Sequence, residues 1–175
     1  MLEQVVNIGL SDPKSPTNVG SVMRAAGCYG VNKVFYTGTR YDRAVKLNTD
    51  TKQASHQIPL IQLQHLLDNK EDDVQVVCVD LIEGAIPLPN FQHPKKALYL
   101  FGPEDGTLKQ QLINQADAVV YVPTKGCMNL AATVNVLLYD RLAKSADFIT
   151  DNALIQQSRD NNNRVKVKNT PIKSN

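Results

Sequence analysis

The sequence predicts an α/β fold built on a mostly parallel sheet with helices on both faces. Two observations predict it. Short, near-continuous apolar runs rich in β-branched residues recur along the chain, the pattern of strands buried on both faces. Segments of helical period separate them, giving a β-α-β-α order. The 175 residues are 42% hydrophobic and 21% charged, ordinary globular composition and enough chain for one domain with a substantial core.

The elements read in order as follows. Val5 to Leu10 (VVNIGL) is the first strand. Residues 18–29 form a helix, with Asn18 able to cap it and Gly30 able to end it. Val19, Val22, Met23 and Ala26 fall at i, i+3, i+4, i+7 and face the core, while Arg24 projects from nearly the opposite side beside Gly20 and Ser21. Val34 to Tyr36 is a second strand, and a helix is expected around 60–68. Val74 to Leu81, Ala97 to Phe101 and Ala118 to Val122 are further strands, with a helix at 107–116 between the last two. The last strong helix covers 129–144. Leu130, Val134, Leu137, Leu138 and Leu142 form its stripe, widened by Val136 and Tyr139, so it is central or covered by a second subunit. Residues 1–150 are read as a single domain. Residues 151–175 are a basic, Asn-rich tail expected to be partly disordered.

Charge is segregated. Residues 1–150 carry 14 basic and 15 acidic side chains, whereas 151–175 carry 5 basic and 2 acidic. A second basic stretch precedes position 53 and includes Arg40, Arg43 and Lys46, with Tyr41 between the two arginines. This distribution suits a phosphate-bearing partner, and it equally suits a solvated surface with a loose basic tail. Cys28, Cys78 and Cys127 are scattered without a CxxC pair, which argues against a disulfide framework or a zinc site and fits a reducing cytoplasm. No secretory signal or membrane span is expected. GxGxxG after the first strand, GxxxxGK[ST] and HExxH are all missing, and His56, His65 and His93 are isolated in sequence, so no metal site is expected.

Two loops follow the carboxyl ends of buried strands, where open α/β sheets place ligands. One is Phe101-Gly102-Pro103-Glu104-Asp105-Gly106; the other runs from Val122-Pro123 through Gly126-Cys127-Met128 to Asn129, which stands where a helix cap is needed. Each alone is also what an ordinary βα turn looks like. Read with Asn18-Val19-Gly20-Ser21-Val22-Met23-Arg24 on the first helix, the segments resemble the three motifs of the SpoU (TrmH-type) RNA 2'-O-ribose methyltransferases of the SPOUT superfamily. The likeness spans about residues 5–144, with all three motifs in order.

The resemblance implies a C-terminal deep trefoil knot and a homodimer. It implies S-adenosylmethionine bound by Leu100, Phe101, Gly102, Pro103, Glu104 and Gly106 and by Tyr121, Val122, Pro123, Gly126, Cys127, Met128, Asn129 and Leu130. It also implies catalysis centred on Arg24, with Asn18, Glu104 and Asn129 shaping the site. RNA, a tRNA or rRNA, would meet Arg24, Arg40, Tyr41, Arg43 and Lys46. Cys127 departs from the family's serine, and a thiol is a weaker hydrogen-bonding group. Two other readings stand beside this one: an RNA-binding protein of the same fold without catalysis, and a small-molecule methyltransferase.

Overall fold

The computed structural model describes residues 4–47, 58–68, 70–145 and 151–167. The chain divides into two units, Met1–Ser145 and Ala146–Asn175. In the first unit the elements are β1 (Val5–Leu10), α1 (Pro16–Cys28), β2 (Lys33–Tyr36), α2 (Arg40–Leu47), β3 (Leu60–Gln62), β4 (Gln75–Val79), β5 (Ile86–Pro87), a 3-10 turn (Leu88–Asn90), β6 (Lys96–Phe101), α3 (Gln110–Ile113), β7 (Ala118–Tyr121) and α4 (Leu130–Ala143). The strands form one sheet in the order β3-β2-β1-β6-β4-β7-β5, and every pairing among the described residues is parallel. The chain thus steps outward from β1 to β3 and returns to β4. It leaves between β1 and β4 a gap that β6 fills later.

β6 shows why the central strands read as unbroken apolar runs. Ala97, Tyr99 and Phe101 pack into the core under α1 and α4, and Leu98 and Leu100 into a second core on the other face. Burying Leu98, Leu100 or Phe101 contributes about 1.5–3 kcal/mol each. Val5 lies opposite Lys96 and Leu10 opposite Phe101, so β1 and β6 end level with each other.

The structure departs from sequence expectation at four places. α1 is capped by Ser15, whose side chain accepts the Asn18 N–H, and not by Asn18. Pro16, with its φ preset for the first helical position, starts the helix earlier. The helix expected around 60–68 is β3 followed by turns. Val34 donates to the Pro59 carbonyl and Leu63 to that of Tyr36, so the open edge of β2 captures this segment. The 107–116 helix shrinks to Gln110–Ile113, because the Thr107 hydroxyl and Leu108 N–H bond the Asp80 carboxylate. The segment carrying Arg40, Tyr41 and Arg43, to which the sequence reading assigns no element, is helical (α2).

α4 buries Leu130, Ala131, Val134, Leu137 and Leu138 and leaves Val136, Tyr139 and Leu142 exposed at three-residue spacing. Its last turns are bolted to the chain before β6. The side chain of His93, isolated in sequence, is buried, with Nδ1 2.8 Å from the Tyr99 hydroxyl and Nε2 2.8 Å from Asp140. Burial holds the His93 imidazole below its usual pKa against the pull of Asp140. Arg141 donates to the Pro94 and Lys95 carbonyls and to the Tyr99 hydroxyl, and Lys144 to Leu88, Phe91 and Asp140.

The second unit carries α5 (Asn152–Ser158), capped by the Asp151 carboxylate on the Leu154 N–H, with Leu154 and Ile155 exposed. No helix among the described residues is long and apolar enough to cross a membrane.

Candidate functional site

Because the strands run parallel, the loops after β4, β6 and β7 emerge at one end of the sheet, from three adjacent strands. They enclose a cavity of about 250 Å³. Its wall includes Phe101, Gly102, Pro103, Glu104 and Gly106 from the loop after β6, and Val122, Cys127, Met128, Asn129 and Leu130 from the approach to α4. These are residues the sequence marks. Leu100, Tyr121, Pro123 and Gly126, also marked, do not line it: Leu100 is fully buried in the second core, and Gly126 is exposed. The wall also holds Thr124, inside the second marked loop, and Val79, Asp80, Leu81 and Thr133, which sequence reasoning missed. The sequence reading runs the strand Val74 to Leu81 through Asp80 and Leu81; the structure ends β4 at Val79, which leaves them in a loop after a buried strand like the two recognised ones.

A chain of hydrogen bonds ties together the three segments. Glu104 Oε2 accepts the Lys14 N–H (2.9 Å), and Oε1 accepts the Ser15 N–H (3.1 Å) and the Asn18 side-chain amide (3.1 Å). Asn18 Oδ1 in turn accepts from Asn129 Nδ2 (2.9 Å). Asn129 Oδ1 caps α4 by accepting the Ala131 N–H at 2.9 Å, with a longer bond to Ala132. Partial burial raises the Glu104 carboxyl, but the Asn18 amide and the backbone N–H groups of Lys14 and Ser15 outweigh it and hold the group below its ordinary pKa. Glu104 is therefore a fixed anionic clasp between β6, the β1–α1 loop and, through Asn18, the start of α4.

Asp80 closes the other side of the cavity loop. Its Oδ1 accepts the Leu81 N–H, and its Oδ2 accepts the Thr107 hydroxyl at 2.6 Å and the Leu108 N–H at 2.9 Å. A side chain on Gly102 would stand 3.2 Å from that same oxygen and from the Leu108 nitrogen, so these neighbours would have to give way by a few tenths of an ångström to admit one.

Arg24 is exposed on α1, and it makes no hydrogen bond or ion pair with the described residues. It does not line the cavity. Arg40 is turned onto the protein, against Asp12 and Asp105. Tyr41 is half-buried, its ring edge-on to Tyr36 at 5.2 Å, and burial raises its hydroxyl pKa. Arg43 is exposed; Lys46 belongs to α2, its side chain lying outside the described residues.

The profile of the SpoU rRNA Methylase family matches residues 5–139, spanning all three segments that build this site. The chain belongs to that family. No curated protein matches the sequence. Among solved structures, an rRNA methyltransferase from Sinorhizobium meliloti is similar at 22% identity and TM-score 0.67, over 81% of this chain and 56% of that one. The SpoU methyltransferase AviRb from Streptomyces viridochromogenes, in complex with AdoMet, is similar at 20% identity and TM-score 0.65, over 81% and 58%. A third structure, described in terms of 2-OH methylation of C/U34 on tRNA, matches at 19% identity and TM-score 0.67, over 82% and 92%. At these identities the likeness establishes the SpoU α/β fold. The chain spans little more than half the length of the first two.

Proposed function

We propose that this SpoU-family chain is an S-adenosylmethionine-dependent methyltransferase acting on a ribose 2'-hydroxyl of tRNA or rRNA. The observation that carries the reading is the cavity beside three adjacent strand ends, with its wall residues Glu104 and Asn129 bonded in series through Asn18 behind them. The cavity suits an adenosyl-sulfonium ligand. Val79, Phe101, Val122 and Leu130 give apolar walls, and a few convergent polar groups give orientation. The family likeness and the AdoMet complex of AviRb favour the same ligand. When bound, S-adenosylmethionine supplies an electrophilic methyl group.

The protein's part is positioning and charge. The attacking hydroxyl must pass its proton to solvent water as its oxygen gains the methyl group, because guanidinium is effectively always protonated and a base role for Arg24 is physically expensive. Arg24 instead grips a phosphate beside the target ribose and stabilises the developing alkoxide. The presence together of Arg24, Glu104 and Asn129 favours this over the reading as an RNA-binding protein without catalysis, whose mark would be the loss of one of them. Segregated basic charge, with Arg43 exposed on α2, favours RNA over a small-molecule acceptor. Residues 1–150 acting as one catalytic domain, the trefoil knot, a cytoplasmic setting and RNA contact by the basic tail belong to the same reading.

The test is incubation of the full chain with labelled S-adenosylmethionine and RNA from undermodified cells, then alkaline hydrolysis. A 2'-O-methyl group blocks the hydroxyl that cleaves the backbone, so label is expected in alkali-resistant dinucleotides. Label in mononucleotides means a base is methylated and overturns the 2'-O assignment. An RNA that binds without acquiring label favours the non-catalytic reading.

A homodimer is part of the proposal, with the outer face of α4 as its contact. Val136, Tyr139 and Leu142 are the large apolar side chains left exposed there. Sedimentation is expected to give a dimer at micromolar concentration, and a Tyr139→Asp variant a shift toward monomer. A wild-type monomer under these conditions overturns this interface.

A further inference from the structure

Arg40 stands at a junction of three loops. Its Nε lies 2.9 Å from Asp12 Oδ2 and donates to the Asp12 carbonyl at 3.1 Å, to which Nη2 also donates at 2.6 Å. Its Nη1 lies 2.9 Å from both oxygens of Asp105. Asp12 takes a left-handed conformation, φ 44°, costly for a residue with a side chain. Its carboxylate occupies the space where a side chain on Gly38 would stand, so the loops after β1 and β2 interlock only because Gly38 has none. The loops that leave β1, β2 and β6 are therefore gathered on one guanidinium.

Asp105 belongs to the cavity loop but is not on the cavity wall, whereas Gly102, Pro103, Glu104 and Gly106 are. The loop shows one side to the cavity and is held from the other. Downstream it is held again, by Asp80. Mutual hydrogen bonding raises the Arg40 pKa and lowers that of Asp105, so both are charged at neutral pH. The Arg40 side chain is 31% exposed and that of Asp105 48%, and an ion pair this open contributes little to global stability. It can still fix a local turn that few buried contacts hold.

We propose that Arg40 and Asp105 are positioning residues, a clamp that fixes the Pro103–Gly106 turn in the shape that receives the S-adenosyl ligand, and that this, rather than RNA phosphate, is what Arg40 serves. The inference rests on the cavity being the S-adenosylmethionine site. Planar two-point contact is essential to it, so lysine is a poor substitute for Arg40. Coupled partners lose the same function once, so the effects of removing each do not add.

The experiment is calorimetric titration of S-adenosylhomocysteine into the full chain without RNA, for wild type, Arg40→Ala, Arg40→Lys, Asp105→Asn and the Arg40→Ala/Asp105→Asn double variant. Each single change is expected to weaken binding about tenfold, and the double change no further. Melting temperatures should stay within a few degrees of wild type. Hydrogen exchange should quicken at the amides of 104–106 and not in the central strands, a local signature that a general loss of structure would not give. Unchanged ligand affinity in Arg40→Ala, with weaker RNA binding and a flatter salt slope, makes Arg40 a phosphate contact and overturns the clamp alone. Additive losses in the double variant also overturn it. Failure of the folded wild type to bind the ligand overturns the cavity reading and the clamp with it.

Discussion

Arg24→Ala is expected to lower single-turnover methyl transfer by at least about 10²–10³-fold, the usual effect of removing one preorganised electrostatic group. Cofactor affinity should stay near wild type. Arg24 lies outside the buried face of α1, which is made by Val19, Val22, Met23, Ala25 and Ala26, so alanine there removes no core packing. The melting temperature should move by no more than about 2 °C. The cavity wall does not include Arg24, so the cofactor has no direct contact to lose. What disappears is a positive charge whose contribution is greatest as the hydroxyl becomes an alkoxide. Arg24→Lys keeps the charge but not the planar fork, and should recover only a small part of the rate if phosphate is gripped at two points. The measurement is a single turnover at saturating RNA, with cofactor binding followed separately. A wild-type rate in Arg24→Ala removes Arg24 from the mechanism, and an equal loss of cofactor affinity makes it a structural residue.

Glu104→Ala is expected to damage binding and transfer together. It leaves the Lys14 and Ser15 N–H groups and the Asn18 amide without their acceptor, and it frees Asn18 from the series that reaches Asn129. A shift of about 1 Å in a positioned group lowers a rate about 100-fold, and a loss of this size in transfer is expected. The stability cost is smaller, about 1 kcal/mol once solvent screening of a partly exposed group is allowed for.

The pH dependence has a definite sign. The folded state holds the Glu104 carboxyl below its ordinary pKa: burial raises it, and the bonds from Asn18, Lys14 and Ser15 lower it by more. Its stabilisation is therefore fully present above the ordinary carboxylate range and is lost as pH falls through the depressed folded value. Denaturant unfolding across the acid range should show wild type losing more stability than Glu104→Gln. Parallel pH curves for the two proteins would mean that the carboxylate charge is not what these bonds depend on.

Much of this was legible because the physics is local. β4 and β6 are buried on both faces, and a run such as KALYLF needs no tertiary context to read as a strand. α1 and α4 announced their buried faces by period. Asn129 announced its cap by standing ahead of an apolar helix, and the structure gives it that bond. What was hidden depends on partners distant in sequence. Leu60–Gln62 is extended because β2 offers an open edge, and nothing in LIQ says so. Asp80 gains its place from Thr107 and Leu108, 27 and 28 residues away. Tyr41 reads as an RNA contact between two arginines, and only the fold sets Tyr36 against its ring. Arg40 is the clearest case. A basic residue in a basic stretch reads as a phosphate contact, and only the fold brings Asp12 and Asp105 to it.

The insertion of β6 between β1 and β4 has a consequence for how the chain reaches this state. Neither older strand finds its permanent neighbour on that side until residues 96–101 exist, because β1 pairs with β6 from Val5 opposite Lys96 and β4 pairs with it from Gln75 opposite Ala97. Among the described residues no pair in the sheet is a hairpin, so each must close a crossover before its hydrogen bonds return anything. Long-range parallel pairing of this kind makes assembly slow and leaves apolar edges open while it proceeds. During synthesis the edges of β1 and β4 wait, bare, for a strand not yet made. The cavity, walled by loops that follow β4, β6 and β7, is among the last parts of the molecule to come into being.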